Sequence, residues 1–333
     1  MSEYTISQIK PSDRRGLRQM DALLAREGIE RDKNLDYSVG IFDENYDLIG
    51  TGSCFGNTLR CLAVSSDHQG EGLLNQIISH LMDYQYQRGN IHLFLYTKCN
   101  TARFFGDLGF YEIARVDGKV VFMENRKTGF SQYLEHLRQE TAASPAAAPD
   151  AGTIGAVVMN ANPFTLGHQY LLEQAAARVE LLHVFVVSED ASLVPFAVRD
   201  RLVREGSAHI PNLIYHQTGP YMISNATFPS YFLKDSETVI KSHARLDIEV
   251  FKQIAGALGI TCRFVGEEPF SNVTGIYNQV MKEELEKAGI GCTIIPRKAD
   301  ADGAISASKV RELIRLRRIY EIQSKVQIGR AHV

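Results

Sequence analysis

The chain has 333 residues, which is enough for two domains of ordinary size. Its hydrophobic content of 44% and charged content of 23% are typical of a globular protein, and its net charge of −3 gives no reason to expect binding to nucleic acid or to an anionic membrane. No apolar run approaches the roughly 20 residues of a membrane span, and the N-terminus lacks the apolar core of a signal peptide.

The cysteines indicate a reducing compartment. There are five of them, an odd number, and they form no CxxC pair. Widely spaced thiols of this kind are typical of reduced cytoplasmic proteins and argue against a cysteine metal cluster. We therefore predict a cytoplasmic protein with the free thiols Cys54, Cys61, Cys99, Cys262 and Cys292.

A stretch rich in alanine and proline divides the chain. Residues 141–152, TAASPAAAPDAG, hold too few large side chains to order themselves, which is typical of a linker. We therefore predict an N-terminal domain over 1–140 and a C-terminal domain over 153–327. The last six residues, 328–333, match one reading frame of a common sequencing adapter. We expect this end to be an assembly artefact and the natural protein to continue past Gln327.

The N-terminal domain is predicted to be α+β. Strand-like segments come first, and a segment with leucine and isoleucine at helical spacing follows at 70–89. A further strand, a short helix at 101–108 and a final strand pair complete the pattern. The predicted strands are 37–43, 46–55, 58–65, 91–97, 110–116 and 120–125.

The C-terminal domain alternates regularly between apolar strands and helical stretches. This rhythm predicts an α/β fold with a parallel, doubly wound sheet. The predicted strands are 154–160, 181–187, 213–216, 261–265 and 292–296.

The loop after the first of these strands carries small and polar residues. It reads Asn160-Ala-Asn-Pro-Phe-Thr-Leu-Gly-His168 and leads into an Ala/Leu-rich helix. Ligands of open α/β sheets bind beyond the carboxyl ends of strands, and a helix N-terminus offers N–H groups and positive dipole to an anion. Gly167 lets the backbone approach a phosphate, because it has no Cβ atom. Thr165 and His168 have short side chains that can donate hydrogen bonds to phosphate oxygens. The structural alternative has Thr165 as helix N-cap and His168 as a polar residue of the first turn.

A second helix start, after the last predicted strand, has a related composition. The sequence Ile305-Ser-Ala-Ser-Lys-Val-Arg311 opens an amphipathic helix. Ser306 and Ser308 can cap the helix and donate to phosphates, and Arg311, one turn further, can bind oxygens bidentately. Alone, this pattern indicates only a good N-cap.

Together the two motifs resemble the (H/T)xGH and ISSTxxR motifs of the nucleotidylyltransferase superfamily. Their order, near opposite ends of one α/β domain, favours that family over two unrelated caps. The resemblance implies a Rossmann-like domain with Thr165, His168 and Arg311 as catalytic residues. It further implies nucleotide binding by Met159, Asn160, Asn162, Pro163, Phe164, Gly167, Ser306 and Ser308.

Charged residues near these motifs leave alternatives open. Arg297 and Lys298 follow the last strand and either meet a triphosphate or form a solvated basic turn. Glu267 ends another strand and is a candidate ligand of ribose or magnesium. Arginines at three positions of the helix after the second strand are interpreted as solvent-facing charges, namely Arg199, Arg201 and Arg204. The segment 218–237 is too long and aromatic for a plain connector, and is a candidate lining of an acyl or thiol pocket.

The N-terminal segment 62–78, LAVSSDHQGEGLLNQII, resembles the acetyl-CoA-binding core of GNAT acetyltransferases. In that family a splayed strand precedes a glycine loop whose N–H groups hold pyrophosphate at a helix start. Residues 100–110, ending in Leu-Gly-Phe, resemble the second signature of the family. The alternative is that the two glycines of the loop are turn residues only. The resemblance implies a CoA-like arm held by Val64, Gln69, Gly70, Gly72 and Asn100.

Phe105 departs from the pattern of that family. Many members carry a tyrosine at this position, as general acid to the departing thiolate, and a phenyl ring has no proton to give. We therefore infer binding of a CoA-like thiol rather than ordinary N-acetyl transfer.

A GNAT-like domain ahead of a TxGH domain is a rare order, and over residues 1–327 it resembles the citrate lyase ligase family. The resemblance implies an enzyme that converts ATP, acetate and a carrier thiol into AMP, pyrophosphate and an acetyl thioester through acetyl-adenylate. Mg²⁺ would enter with the ATP phosphates. The implied partner is the acyl carrier subunit of citrate lyase, with its phosphoribosyl dephospho-CoA group.

Two alternatives of other classes stay open. One is an adenylyltransferase that acts on a phosphorylated cofactor precursor, such as nicotinamide mononucleotide or phosphopantetheine. The other is a GNAT enzyme that acetylates a protein amine, with the C-terminal domain as nucleotide sensor. Dependence of pyrophosphate release on acetate separates the first from the ligase, and ATP-independent transfer from acetyl-CoA separates the second.

Overall fold

The computed structural model describes residues 4–147, 152–188, 192–222, 236–267, 272–300 and 303–326. The chain separates into two units, residues 1–130 with 228–242 and residues 131–227 with 243–333. No helix within the described ranges is both long and apolar enough to cross a membrane. Part of the predicted linker, most of the segment 218–237 and all of 328–333 lie outside the described residues.

The first unit is built around a seven-stranded mixed sheet. Its strands are β1 (Thr5–Gln8), β2 (Tyr37–Phe42), β3 (Leu48–Phe55), β4 (Thr58–Val64), β5 (Phe94–Thr97), β6 (Tyr111–Val116) and β7 (Val120–Glu124). Their order is β1-β2-β3-β4-β5-β7-β6, and β4–β5 is the parallel pair of a sheet that is otherwise antiparallel. Its helices are α1 (Arg14–Arg26), α2 (Leu73–Gln87) and α3 (Ala102–Asp107). The predicted α+β fold of this part is confirmed.

Helix α1 is an element that the sequence analysis did not assign. Asp13 caps it, because its Oδ1 accepts hydrogen bonds from the N–H groups of Arg15 and Gly16 at 3.1 and 2.9 Å. Met20, Leu23 and Leu24 follow at helical spacing and are fully buried. The cap and the apolar stripe were therefore readable in the sequence.

Helix α2 packs directly on strand β3 because the strand carries glycine there. A Cβ atom on Gly52 would overlap Cγ2 of Ile77. The apolar stripe of the helix, which faces the sheet, consists of Leu73, Ile77, Ile78 and Leu81. Burial of each such side chain stabilises the folded state by about 1.5–3 kcal/mol. The packing fixes the loop before the helix against the end of β4.

Strands β4 and β5 separate toward their carboxyl ends. Their register pairs only Thr58 with Phe94 and Leu59 with Leu95, although β4 continues to Val64. Two parallel strands that part in this way leave a gap that side chains and the start of α2 must line. The gap is the opening of a cavity described below.

The second unit contains a five-stranded, wholly parallel sheet. Its strands are β8 (Ile154–Met159), β9 (Leu181–Val186), β10 (Leu213–Gln217), β11 (Cys262–Gly266) and β12 (Gly291–Ile295). The order β10-β9-β8-β11-β12 runs outward from β8 in both directions, so the predicted doubly wound sheet is confirmed. A short hairpin of β13 (Ala299–Asp300) and β14 (Gly303–Ala304) follows.

The remaining helices are α4 (Gly129–Ala143), α5 (Leu166–Ala176), α6 (Phe196–Gly206), α7 (Ser236–Leu258), α8 (Asn272–Lys287) and α9 (Ala307–Arg315). Helix α5 buries Leu172 and Ala175 against the sheet core. Helix α9 buries Val310 and Leu313 against Ile322, which follows it in the chain. These two helices are the ones relevant to a ligand site, because each begins near the carboxyl edge of the sheet.

The winding direction of the sheet reverses between β8 and β11. Met159 ends β8 and Gly266 ends the neighbouring β11. In doubly wound sheets the loops that leave such a pair diverge to opposite faces and open a crevice between them. The loop that carries the TxGH motif leaves β8 at this crevice.

Candidate active site

Thr165 and His168 cap the start of α5 reciprocally. The His168 N–H donates to Thr165 Oγ1 at 3.4 Å, and the Thr165 N–H donates to His168 Nδ1 at 3.1 Å. A ring nitrogen that accepts an N–H bond carries no proton itself, so the neutral ring of His168 carries its proton on Nε2. The N-cap alternative is therefore correct for Thr165, and it is compatible with a donor role for His168.

His168 is neutral at physiological pH. Burial, together with the positive charges of Arg297 and Arg311, lowers its pKa to about 4. The ring also lies nearly parallel to that of Phe164, with centroids 5.8 Å apart. A neutral, oriented imidazole offers a hydrogen-bond donor to an anion without first having to gain a proton.

The start of α9 lies beside the start of α5. A Cβ atom on Gly167 would be 3.4 Å from the carbonyl oxygen of Ile305, the residue before the α9 N-cap. Ser306 caps α9 by accepting a hydrogen bond from the Ser308 N–H at 3.2 Å. The two helix starts, far apart in sequence, therefore meet at one place.

One amide of the α5 first turn is available to a ligand. The Leu166 N–H donates to the Lys325 carbonyl oxygen at 3.0 Å, and the His168 N–H donates to Thr165. Within the described residues, the N–H of Gly167 between them has no acceptor. An amide at this position of a helix is suited to a phosphate oxygen.

Arg311 connects the two motifs directly. Its Nη1 donates to the Asn162 carbonyl oxygen at 2.6 Å, and its Nη2 donates to Ser308 Oγ at 2.9 Å. Burial lowers the pKa of its guanidinium, and the charge of Arg315 lowers it further. The guanidinium is fixed at the junction of the two loops.

These elements line one cavity of about 310 Å³ at the crevice between β8 and β11. All but two of the predicted nucleotide-site residues lie on its wall: Met159, Asn160, Asn162, Thr165, Gly167, His168, Ser306, Ser308 and Arg311. Because the Gly167 Cβ position lies 3.4 Å from the residue before Ser306, the two predicted motifs share this cavity.

Three charged residues whose position the sequence left open also line this cavity. Arg297 donates from Nε to the Glu267 carbonyl oxygen at 2.7 Å, and Lys298 lies 5.9 Å from the centre of the Tyr170 ring. Arg297, Lys298 and Arg311 place three positive charges around a small concave space. Glu267 provides the carboxylate on its wall. Such a charge distribution is suited to a polyanion with a bound cation. Tyr170 itself was missed, although it lies two residues after His168 on the same helix.

Two predicted nucleotide contacts are not on the cavity wall. Pro163 is buried, and Phe164 is 8% exposed and belongs to the sheet core. A Cβ atom on Gly206 would overlap the Phe164 ring, so this glycine of α6 accommodates the phenyl group. Because the residue before an N-cap points away from the helix mouth here, Phe164 supports the His168 ring and does not itself face the cavity.

The interpretation of Arg199 as a solvent-facing charge is wrong. Its side chain is 0% exposed and donates to carbonyl oxygens of the loops around the cavity. Arg201 and Arg204 are exposed, as expected, and Arg204 pairs with Asp200 at 2.9 Å. Spacing along a helix does not reveal that one turn of it is covered by loops.

The first unit has a cavity of its own, of about 620 Å³, between the separating ends of β4 and β5. Gly70 and Gly72 have φ angles of +88° and +74°, a region that residues with a Cβ atom rarely adopt. Gly72 is also the N-cap of α2, so the helix start opens on this cavity. The five residues of the predicted CoA-like site all line it: Val64, Gln69, Gly70, Gly72 and Asn100.

Phe105 lines the same cavity and is 4% exposed. It packs edge to face against Phe104 and Phe110, with centroids 5.4 and 6.4 Å away. The position therefore contributes an apolar wall and no titratable proton.

The segment 218–237 is described only at its ends. Tyr221 is 3% exposed and its ring stacks on Tyr133 with centroids 4.8 Å apart. Residues 223–235, on which the predicted acyl or thiol pocket mainly rests, lie outside the described residues.

Comparison with known proteins identifies the family. Residues 154–329 match the model of the citrate lyase ligase C-terminal domain. The chain is 40% identical over 296 residues to the [citrate [pro-3S]-lyase] ligase of Escherichia coli K12, covering 86% of this chain and 82% of the relative. It is 41% identical over 288 residues to the enzyme of that name from Klebsiella pneumoniae, covering 85% of this chain and 82% of the relative.

Among solved structures, the ribosomal-protein-S18-alanine N-acetyltransferase of Escherichia coli is similar to part of the chain. The TM-score is 0.30 at 19% identity, covering 37% of this chain and 92% of the acetyltransferase. The relatives in sequence carry the family assignment, and they confirm the resemblance inferred from the motifs. The chain belongs to the citrate lyase ligase family of enzymes.

Proposed function

We propose that the protein acetylates the thiol of the CoA-like prosthetic group on the acyl carrier subunit of citrate lyase, with ATP and acetate as co-substrates. The observation that carries the proposal is the meeting of the TxGH and ISAS helix starts at one cation-lined cavity. The names of the sequence relatives support the same activity. The protein is thereby a ligase that forms an acid–thiol bond.

The cavity of the second unit is the proposed ATP site. The Gly167 N–H, the Nε2–H of His168 and the hydroxyl groups of Ser306 and Ser308 would donate to phosphate oxygens. Arg311 would bind phosphate through the N–H groups that its bonds to Asn162 and Ser308 leave over. Met159 and Asn160 would contact the part of ATP that lies next to its phosphates.

The first proposed step transfers the adenylyl group to acetate. An acetate oxygen forms a bond to the α-phosphorus, and the bond from that phosphorus to the bridging oxygen breaks and releases pyrophosphate. Negative charge grows on the equatorial and leaving oxygens, where fixed donors such as His168 and Arg311 act most strongly. Little else is asked of the protein than positioning and charge stabilisation.

The second proposed step transfers acetyl to sulfur. The thiol sulfur attacks the carbonyl carbon of acetyl-adenylate, AMP leaves with the former acetate oxygen, and the thiol proton passes to solvent. A thiol of pKa about 8.5 is already partly ionised at neutral pH and is intrinsically nucleophilic. This agrees with a cavity wall on which the sole carboxylate, within the described residues, is that of Glu267.

Mg²⁺ is the implied metal of the reaction, and when bound it neutralises charge on the triphosphate. The cavity wall offers a carboxylate, and an oxygen ligand of this kind suits a Mg²⁺ ion that arrives with the nucleotide. Glu267 would take part in holding it, and the cations Arg297 and Lys298, which line the same cavity, would bind the phosphates.

The cavity of the first unit is the proposed site of the CoA-like arm. The left-handed glycines Gly70 and Gly72 and the start of α2 would hold its pyrophosphate, with Val64, Gln69 and Asn100 along the arm. Phe105 supports binding rather than N-acetyl transfer in this cavity. A cytoplasmic location and a division into residues 1–140 and 153–327 remain predictions.

Isotope exchange between pyrophosphate and ATP tests the proposal. We expect exchange that depends on acetate, falls with longer carboxylates and is abolished in His168→Ala. Exchange driven by a mononucleotide or phosphopantetheine instead of acetate would show a cofactor adenylyltransferase. Acetyl transfer from acetyl-CoA to an amine without ATP would show a GNAT acetyltransferase. Full exchange in His168→Ala would exclude the site.

A further inference from the structure

Arg199 is a buried cation at the back of the proposed ATP site. Four of its hydrogen bonds run to loops at the carboxyl edge of the sheet. Nε donates to the Val194 carbonyl oxygen at 2.9 Å, and Nη1 lies 2.8 Å from each of three acceptors, the carbonyl oxygens of Asn160 and Val187 and Asn160 Oδ1. One guanidinium therefore joins the exits of β8 and β9 to the turn before α6.

These bonds form part of a closed ring. The Val194 N–H donates to Asn162 Oδ1 at 3.1 Å, while the Val194 carbonyl oxygen accepts from Arg199. Asn160 and Asn162 are thereby both held, Asn160 directly by Arg199 and Asn162 through Val194. The segment 160–162 between them cannot shift without breaking the ring.

The held segment has a backbone conformation that needs support. Ala161, between the two asparagines, has a φ angle of +48°, in the left-handed region that residues with a Cβ atom disfavour. Its side chain is 1% exposed. A conformation of this kind persists where surrounding contacts impose it, and Arg199 supplies two of those contacts through Asn160.

The same segment leads to the phosphate-binding machinery. Asn160, Ala161 and Asn162 line the cavity, and the Asn162 carbonyl oxygen accepts from Arg311 Nη1 at 2.6 Å. A change in the path of 160–162 would move the acceptor that orients Arg311. Arg199 is thus connected to Arg311, which is proposed to bind phosphate, through the segment 160–162. One hydrogen bond joins Arg199 to Asn160, and another joins Asn162 to Arg311.

We propose that Arg199 is the positioning residue of the ATP site, acting through Asn160 and Asn162 on the orientation of Arg311. The inference deepens the proposed function and rests on it. Lysine at this position would keep the charge, but its single ammonium group cannot reproduce the planar fork that bonds three loops. Arg199→Lys therefore separates geometry from charge.

The test compares Arg199→Lys with Arg263→Lys, a matched control. Arg263 lies in β11 and is 3% exposed, and the described contacts of its side chain run to Asp247, Tyr277 and the Phe251 ring, not to the cavity wall. We expect Arg199→Lys to raise KM for ATP on the order of tenfold and to lower kcat in acetate-dependent exchange. Arg263→Lys should leave KM for ATP and kcat unchanged, even if it lowers Tm as much as Arg199→Lys does.

A double-mutant cycle provides a readout that a purely structural role would not move. Combined with Arg311→Lys, the Arg199→Lys change should add less than its separate effect on kcat/KM, because both act on one contact. Multiplicative effects, wild-type constants in Arg199→Lys, or an equal loss in Arg263→Lys would overturn the inference.

Two further measurements keep the test decisive. Asn162→Ala cuts the ring while the arginine stays, so unchanged KM for ATP in that variant would overturn the inference even if Arg199→Lys fails to fold. Calorimetric ATP binding without acetate tests Arg199 independently of catalysis. Absence of acetate-dependent exchange in the unmodified protein would reject the proposed function and leave this binding test standing.

Discussion

The Nη1 atom of Arg311 donates to the carbonyl oxygen of Asn162 at 2.6 Å, and these residues are 149 positions apart. The bond joins the loop after β8 to helix α9, and the Gly167–Ile305 approach lies beside it. A phosphate group that enters between the two helix starts would therefore meet donors from both ends of the second unit at once.

Replacement of Arg311 tests this junction. We expect Arg311→Lys to lower kcat/KM for acetate-dependent exchange on the order of 100-fold, because lysine keeps the charge but loses the fork to Asn162, Ser308 and phosphate. Arg315→Lys is the control, one turn further on the same helix, exposed and off the cavity wall. Equal losses in both variants would contradict a specific role for the contacts of Arg311 with Asn162 and Ser308.

His168 should act as a neutral donor across the working pH range. Its pKa is lowered to about 4, so it gains a proton only as the pH falls toward that value. Between about pH 6 and 8, the rate of exchange should show no inflection that is due to His168. The pH profile of His168→Gln, whose amide still donates near the Nε2 position, should therefore have the same shape over this range. The nitrogen NMR spectrum should show the Nε2–H tautomer. An imidazolium signal for the free protein at pH 7 would contradict this.

The buried pair His183 and His216 should make stability depend on pH. His183 Nδ1 lies 2.8 Å from His216 Nε2, and His216 Nδ1 lies 2.7 Å from Glu140. Burial, together with the neighbouring His216, lowers the pKa of His183 from 6.5 to about 3. The unfolded chain therefore binds a proton that the folded chain resists, and stability is complete above about pH 6.5 and lost as the pH falls toward 3.

The size of this loss can be measured by urea unfolding. For one such histidine the free energy of unfolding should fall by up to about 1.4 kcal/mol per pH unit below 6.5. His168 adds a similar slope, because its pKa is lowered too. His183→Phe should remove the His183 part of the dependence. Equal slopes in this variant and the unmodified chain would show that His183 titrates normally.

The glycine loop of the first unit should matter for carrier acetylation and not for adenylation. Gly72→Ala places a Cβ atom at a φ of +74°, at a cost of about 1–2 kcal/mol. We expect acetyl transfer to the carrier thiol to fall on the order of tenfold while exchange with ATP and acetate persists. Gly106→Ala is the control, since Gly106 lies in α3 with no atom within 4 Å of a Cβ. Loss of both activities in Gly72→Ala would contradict separate sites.

The local elements of this protein were largely predictable. Strand β1 was missed, because its four residues are exposed and form no apolar run. The other strands of both sheets follow from apolar runs, and the two helix starts follow from Thr165 and Ser306, because caps act within a few residues of the chain. The TxGH and ISAS motifs, taken in order, pointed to one α/β domain and to the family that sequence comparison shows.

Contacts between distant loops were not predictable in the same way. Phe164 was expected at the ligand but lies in the core, since the direction of the residue before an N-cap depends on what α6 presents to it. Arg297, Lys298 and Glu267 stayed ambiguous because spacing does not tell which strand ends share a crevice. The order of the sheet brings them to one wall.

By itself, the sequence determined the two kinds of domain, their order and the residues that open α5 and α9. Only the tertiary structure decided which of those residues face a common cavity, and that Arg199 is a buried support rather than a surface charge. The physical reason is one of range. Propensity, capping and periodicity act over a few residues, whereas burial of a guanidinium depends on carbonyl oxygens that three separate loops bring to it.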